Sequence, residues 1–298
     1  MDMALIKELR ERTGVGFGDC KKALVEADWD MDRAVDIVRL QSGAKAAKKA
    51  DRTAAEGLLG LKVDGDRAAM VEVNVETDFA ARNPKFAAFV ERAVTTALED
   101  GADGLAEALE GERQALVQEI GENINVRRAT RLDAEPGGTV VGYLHMDRKS
   151  GTVVVLDGGR DDAVDLGQDI AMHVTAMRPL VVSPEDVPPE VVAKERAIYE
   201  EQAAEEVAAK QSQSKKPLAP EVVERIATGI VTGRVRKFLA ESSLLEQDLV
   251  TRLPAKVKIG KLLKDLDATC EGFARFEVGE GIDRKDEDFA AEVRKQLG

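Results

Sequence analysis

The apolar residues of this chain switch from helical spacing to period two near Gly57, and that switch constrains the fold more than any other feature. Upstream, apolar side chains recur at helical spacing: Leu5, Ile6 and Leu9, then Ala23, Leu24 and Ala27, then Ala34, Val35 and Val38. Three short helices are expected over the first forty residues, with Asp19 and Asp30 standing where N-caps would. Downstream, Leu59, Leu61 and Val63 alternate up to the turn Asp64-Gly65, and Val71, Val73 and Val75 alternate with Glu72, Asn74 and Glu76. Period two on both sides of a turn dipeptide predicts an antiparallel hairpin with one wet face. Helices followed by a hairpin place the chain in the α+β class.

The rest of the sequence extends this plan. Asn83 is a candidate cap and Pro84 fits a first helical turn; Phe86, Phe89, Val90, Ala93 and Val94 then make a buried stripe. A further helix is expected near 110–120, closed by Gly121. Strands are expected over 124–132, 139–146 and 152–156, and a helix over about 162–177. Val75 to Phe89 is 14 positions and Val155 to Ile170 is 15, so strand exit and helix core fall at nearly one offset twice, which reads as two related α+β subdomains or as a coincidence of a common motif. Pro188-Pro189 opens a polar helix to about Lys210, and after a polar break a second helix runs over 221–238. Such a pair reads as an antiparallel hairpin. Its few apolar residues, Val191, Val192, Ile198, Val222, Val223, Ile226 and Ile230, fit either a surface for a partner or second copy, or a solvated strut. A strand over 269–278 and an amphipathic end helix with Phe289, Ala290, Val293 and Leu297 complete the chain.

The expected organisation is a three-helix module over 1–42, an Ala/Lys-rich linker over 43–55, helical or flexible, and a first core subdomain over 56–132. The first part of a second subdomain follows over 133–182, the helical hairpin over 183–238, and the remainder with a C-terminal module over 239–298. At 298 residues the chain suits two or three domains.

Composition excludes several function classes. With 43 Lys and Arg against 56 Asp and Glu the formal charge is −13, so the chain as a whole does not attract a phosphate backbone, and no direct nucleic-acid binding is expected. Cys20 and Cys270 lie 250 positions apart, and His145 and His173 are the only histidines. No zinc set, catalytic triad or Cys-His pair follows, so neither a metal, a cofactor nor an enzyme is expected. Two thiols in so long a chain suit a reducing compartment. No apolar run reaches the roughly 20 residues that span a bilayer, and the opening MDMALIKELRERTG lacks a signal sequence's apolar region, so a cytoplasmic protein without a membrane partner is expected. Gly14-Val15-Gly16-Phe17-Gly18 follows a helix instead of a strand and fits no phosphate-binding pattern, though Phe17 offers an aromatic ring there. His173 lies on an apolar helix face and reads as a core group; His145, beside Tyr143 at a strand end, reads as exposed.

Thr77-Asp78-Phe79 is the segment that physics singles out. It leaves the end of a strand, where a Thr cap and an acidic first-turn residue favour a short helical turn. Phe79 either points outward from that turn or tucks beneath the next helix, as large aromatics usually do.

Several stretches, in order, carry a family resemblance: Leu9-Arg10-Glu11-Arg12-Thr13-Gly14, Asp19-Cys20-Lys21-Lys22-Ala23-Leu24, Ala46-Ala47-Lys48-Lys49-Ala50, Glu76-Thr77-Asp78-Phe79-Ala80, Ile120-Gly121-Glu122-Asn123-Ile124 and Arg275-Phe276-Glu277-Val278-Gly279-Glu280-Gly281. On these the chain resembles bacterial elongation factor Ts, the guanine nucleotide exchange factor for elongation factor Tu. The resemblance implies an N-terminal module of the ubiquitin-associated type, a two-subdomain α+β core, an inserted coiled-coil hairpin and a C-terminal module. It implies that the turn places Asp78 and Phe79, with Thr77 and Ala80 completing it, between helices of the partner's nucleotide domain, disturbing the magnesium and phosphate contacts of GDP. Arg10 and Phe17 match N-terminal contact positions, and Ile120, Gly121 and His145 match core positions that touch elongation factor Tu. A homodimer through the hairpin is the other partner considered, and a passive protein-binding scaffold the other function. Ala80 stands where the family commonly has Val, and Phe17-Gly18 where other members carry two methionines; both keep an apolar contact.

Overall fold

A computed structural model of the chain describes residues 2–159, 163–213, 219–252 and 256–283. The end helix expected around Phe289 to Leu297 lies outside them. Contacts divide the chain into two compact units, one of Met1–Asp133, Gly142–Val153 and Ala274–Gly298, the other of Ala134–Val141 and Val154–Phe273.

The first unit opens with α1 (Met3–Thr13), α2 (Phe17–Glu26) and α3 (Met31–Ala47). Asp2 caps α1 by accepting from Ala4 N and Leu5 N, and Asp30 caps α3 by accepting from Arg33 N. Asp19 is not a cap: α2 starts two residues earlier at Phe17, leaving Asp19 in its first turn, where Lys45 and Gln118 each reach its carboxylate at 2.9 Å. Those two partners, Lys45 foremost, hold Asp19 below the usual carboxylate range. The expected stripes form one core with Val15 and Cys20. The Ala/Lys run is helical as far as Ala47 and turns thereafter.

Strands β1 (Glu56–Asp64) and β2 (Arg67–Val75) form the predicted hairpin, with Asp64 opposite Arg67. The short α4 (Asp78–Ala81) follows, then α5 (Pro84–Asp100), α6 (Leu105–Ala108), α7 (Glu110–Ile120) and β3 (Ile124–Asp133). β3 pairs antiparallel with β2, giving sheet order β1-β2-β3. α5 presents Phe86, Phe89, Val90, Ala93 and Val94 to this sheet's core. A Cβ on Gly60 would lie 3.0 Å from Val94 Cβ, so glycine there lets α5 sit directly on β1. Burying each large apolar side chain of this interface contributes about 1.5–3 kcal/mol.

The expectation of a wet face on β2 is overturned. Glu72 and Asn74 are both buried, because residues distant in sequence cover them. The Glu72 carboxylate takes Arg127 Nη1 at 3.0 Å, Arg128 Nε at 2.6 Å, Asn74 Nδ2 at 3.0 Å and the Gly279 N–H at 2.8 Å. Arg128 also stacks over Phe276 at 4.3 Å and donates to Glu277 O. This is how a charge tolerates burial: every lone pair is occupied and two guanidinium groups balance it.

A second sheet has the order β4-β5-β6, from β4 (Thr139–Leu144), β5 (Ser150–Gly158) and β6 (Ala268–Glu277). Each sheet therefore adds its third strand beside the second strand of a hairpin. The second unit holds α8 (Ala163–Met177), α9 (Pro189–Gln213), α10 (Pro220–Ser242) and α11 (Ile259–Asp265). His173, read as a core group, is buried on α8, with Nε2 2.7 Å from Gln247 Oε1 and Nδ1 accepting from Val250 N at 3.2 Å. Burial lowers its pKa against the opposing pull of Gln247. α9 and α10 pack through Ala203, Val231 and Val235, a cluster as thin as the sparse apolar residues imply.

Burial pushes the Glu72 carboxyl up, but the Gly279 N–H, Asn74 and Arg128 outweigh it and hold the group below its ordinary value. A depressed carboxylate stabilises the fold above its unfolded-state pKa, and this contribution is lost as pH falls through the folded-state pKa. Glu72→Ala is expected to cost about 3 kcal/mol in urea unfolding at pH 7, because it strands the arginines. The difference from wild type shrinks as pH falls through and below the carboxylate range; an equal difference at low and neutral pH would contradict this.

Candidate functional site

The path from β2 to α5 decides what the turn can do. β2 is buried along all but its first residue, so the chain reaches Val75 rigidly held and then surfaces. Thr77 is extended, at φ −123° and ψ 156°, and caps α4 by accepting from Ala80 N at 3.2 Å. The predicted cap and acidic first turn thus form, and Asp78 pairs with Arg82 at 2.9 Å. The ring does not tuck away: Phe79 is 80% exposed while its neighbours Ala80 and Ala81 are buried. With Ala80 and Ala81 facing the core, the helical turn carries the residue before them outward.

Groups from other segments fix this turn. Glu122 accepts from Thr77 N at 2.9 Å and from Thr77 Oγ1 at 2.7 Å. Asn123 N donates to Glu76 Oε1 at 2.6 Å, and its side-chain amide donates to Ala50 O at 3.2 Å and Arg52 O at 2.8 Å. Lys49 donates to Gly121 O, and burial first, then the nearby Arg52 charge, lower its pKa. Gly121 has φ 88° and caps the end of α7, a left-handed conformation that a side chain would strain.

The predicted residues therefore fall into groups. Thr77, Asp78, Phe79 and Ala80 form one turn, and Gly121 adjoins it through Glu122. Ile120, at the end of α7, is half-buried against the sheet's core. Arg10 is exposed on α1, and Phe17, 42% exposed, opens α2. His145 is exposed in the β4–β5 turn, its Nδ1 3.4 Å from Tyr143 Oη, beside Met146 at 94% exposure. None of the contacts described above joins Arg10, Phe17 or His145 to the turn. Glu76, Glu122 and Asn123 are the residues that sequence reasoning passed over. They stood inside the resembling blocks, but no local periodicity marks a carboxylate 45 positions from the threonine it holds.

Among the described residues, no group of three or more His, Cys, Asp or Glu is placed to hold a metal ion. Cys20 and Cys270 are both free thiols, and burial pushes the Cys270 thiol up to about 11. No helix among them is long and apolar enough to cross a membrane.

A sequence model of the family described as Elongation factor TS matches residues 76–280, from the start of the braced turn to the segment that covers Glu72. The Elongation factor Ts of Teredinibacter turnerae is 47% identical over 300 residues, covering 99% of this chain and 96% of that protein. That of Saccharophagus degradans is 48% identical over 301 residues, covering 99% and 97%.

The chain belongs to the elongation factor Ts family. It is accordingly a translation elongation factor, a protein of the elongation stage of protein biosynthesis. The α+β architecture with its two small sheets is consistent with that family.

An exposed ring contributes little to its own fold. Phe79→Ala is expected to leave the unfolding free energy within about 0.5 kcal/mol of wild type, whereas Phe86→Ala, which empties a fully buried site, costs about 3–5 kcal/mol. Thermal and urea unfolding of the two variants check the contrast, and equal losses would contradict the assignment of Phe79 to the surface.

Proposed function

We propose that this elongation factor Ts protein is a guanine nucleotide exchange factor for elongation factor Tu, with Phe79 as the wedge that loosens the partner's hold on GDP. The single observation that carries the reading is the exposed Phe79 ring on a turn braced at Glu76 and Thr77 by Asn123 and Glu122. A large aromatic presented to water at the end of a buried strand has no stabilising role in its own subunit, and rings of this kind serve as interface anchors.

Exchange makes no covalent bond, so its work is coupling free energy between two ligands of the partner. Elongation factor Tu holding both this chain and GDP must be strained relative to holding either alone, and the coupling is reciprocal. Each 1.4 kcal/mol changes affinity about tenfold. A buried aromatic anchor supplies about 2 kcal/mol or more, and displacing a magnesium contact removes a large local charge that stabilises the diphosphate. In this reading Phe79 and Asp78 enter between helices of the partner's nucleotide domain, with Thr77 and Ala80 shaping the turn. Arg10 and Phe17 on the N-terminal module, Ile120 and Gly121 beside the turn, and His145 in the β4–β5 turn make supporting contacts. GDP leaves and GTP rebinds, in the cytoplasm and without direct contact between this chain and nucleic acid.

The α9–α10 hairpin buries only a thin cluster, which favours a further role in contacting a partner or a second copy of the chain. A scaffold that merely held elongation factor Tu through such helices would bind it without altering nucleotide release.

Release of a fluorescent GDP analogue from elongation factor Tu, chased with excess GDP, separates these readings. Wild-type chain is expected to accelerate release, and Phe79→Ala to reduce the stimulation by at least about tenfold, the loss of an anchor of 1.4 kcal/mol or more. Binding without acceleration would support the scaffold, and an undiminished rate with Phe79→Ala would remove the wedge.

A further inference from the structure

Thr77 joins a buried strand to an exposed ring, and its hydroxyl works in two directions. The oxygen accepts from Ala80 N at 3.2 Å, while its proton goes to Glu122 Oε1 at 2.7 Å. Glu122 Oε2 takes the Thr77 backbone N–H at 2.9 Å. A carboxylate gripping both the N–H and the O–H of one residue fixes its backbone orientation and its χ1 together, and hydrogen bonds to an ionised acceptor are stronger than neutral ones.

Such a grip matters because α4 has four residues, too few to offset the entropy of helix nucleation with internal hydrogen bonds. Its orientation must come from outside. The side chain that supplies it is itself held by a fixed backbone. Next to Glu122, Asn123 donates to Glu76, Ala50 O and Arg52 O, and on the other side Gly121 O accepts from Lys49.

We propose that Glu122 is a positioning residue for Phe79: by holding Thr77 it sets the direction of the ring before any partner arrives. The inference rests on the wedge reading above and adds what prepares the wedge. A ring already oriented is bound without the ordering cost that a mobile turn would incur at the moment of contact. Glu122 needs no contact with the partner for this role, so its effect exists only while the ring is present.

The test is a double-mutant cycle with the full chain. Release of the fluorescent GDP analogue from elongation factor Tu is measured at subsaturating and saturating factor for wild type, Glu122→Ala, Glu122→Gln, Phe79→Ala and the double variant Glu122→Ala/Phe79→Ala. Glu122→Ala is expected to slow stimulated release about fivefold, in the range of couplings between contacting residues. Glu122→Gln should lose less, since its carbonyl oxygen still accepts one of the two bonds. On the Phe79→Ala background, Glu122→Ala should change the rate by less than about twofold. A residue with a purely structural role would lower the rate by the same factor in both backgrounds, and that result overturns the proposal, as does an unchanged rate for Glu122→Ala alone. If Glu122→Ala fails to fold by circular dichroism, Thr77→Val, of the same shape without the hydroxyl, takes its place in the cycle under the same criteria. Phe79→Ala at the wild-type rate would instead sink the wedge reading and the brace with it, whereas an effective wedge with a silent Glu122→Ala removes the brace alone.

Discussion

The burial of β2 on both faces is the constraint on which the rest of this structure depends. One face meets α5 through Val71, Val73 and Val75. The other carries Glu72, whose charge is accommodated only because Arg127, Arg128 and the Gly279 N–H converge on it. A strand held this way has little freedom to shift in register, since moving it by one residue would place Glu72 in the apolar layer and a valine among the arginines. The rigidity reaches as far as Val75, and the turn that follows inherits a fixed point of departure. The backbone N–H of Asn123, on Glu76, and the carboxylate of Glu122, on Thr77, then carry that fixity two residues further, to the residue that caps the ring's helical turn.

Rigidity of this kind is what a wedge requires. The exchange proposed for this chain depends on transferring free energy from one interface to another, and a compliant wedge would deform instead of straining its target. An ensemble of turn conformations would leave the partner's nucleotide site undisturbed in most encounters. The arrangement of short charge-assisted hydrogen bonds around an exposed aromatic is therefore informative about function in a way that exposure alone is not, since isolated exposed apolar side chains are common on protein surfaces. Leu40 on α3, for one, is exposed to a comparable degree.

The sequence revealed those parts of the fold whose causes are local. α1 to α3, the β1–β2 hairpin, the Asn83-Pro84 start of α5 and the Gly121 end of α7 follow from period, caps and turn residues within a few positions of one another. What sequence could not reveal depends on distant partners. The alternation of Val71, Val73 and Val75 with polar residues is the pattern of a half-wet strand, and only arginines 55 and 56 positions away and a segment 207 positions away make it otherwise. Asp19 resembles an N-cap until Lys45 and Gln118 are in place. The pairing of β6 with β5 joins strands separated by a whole helical hairpin. Within the candidate site, the cap at Thr77 and the short turn were legible, but the direction of Phe79 was not, because buried and exposed outcomes use the same local residues. The family resemblance singled out the turn, while the hydrogen bonds that orient it come from Glu122 and Asn123, far along the chain.

The rate of GDP dissociation from elongation factor Tu, measured with and without the full chain under otherwise identical conditions, tests the central claim most directly. The account predicts acceleration that rises with the concentration of the chain to a plateau, because the coupling acts only in the complex. A dissociation rate that stays at its unassisted value, at concentrations where the two proteins demonstrably associate, would contradict it.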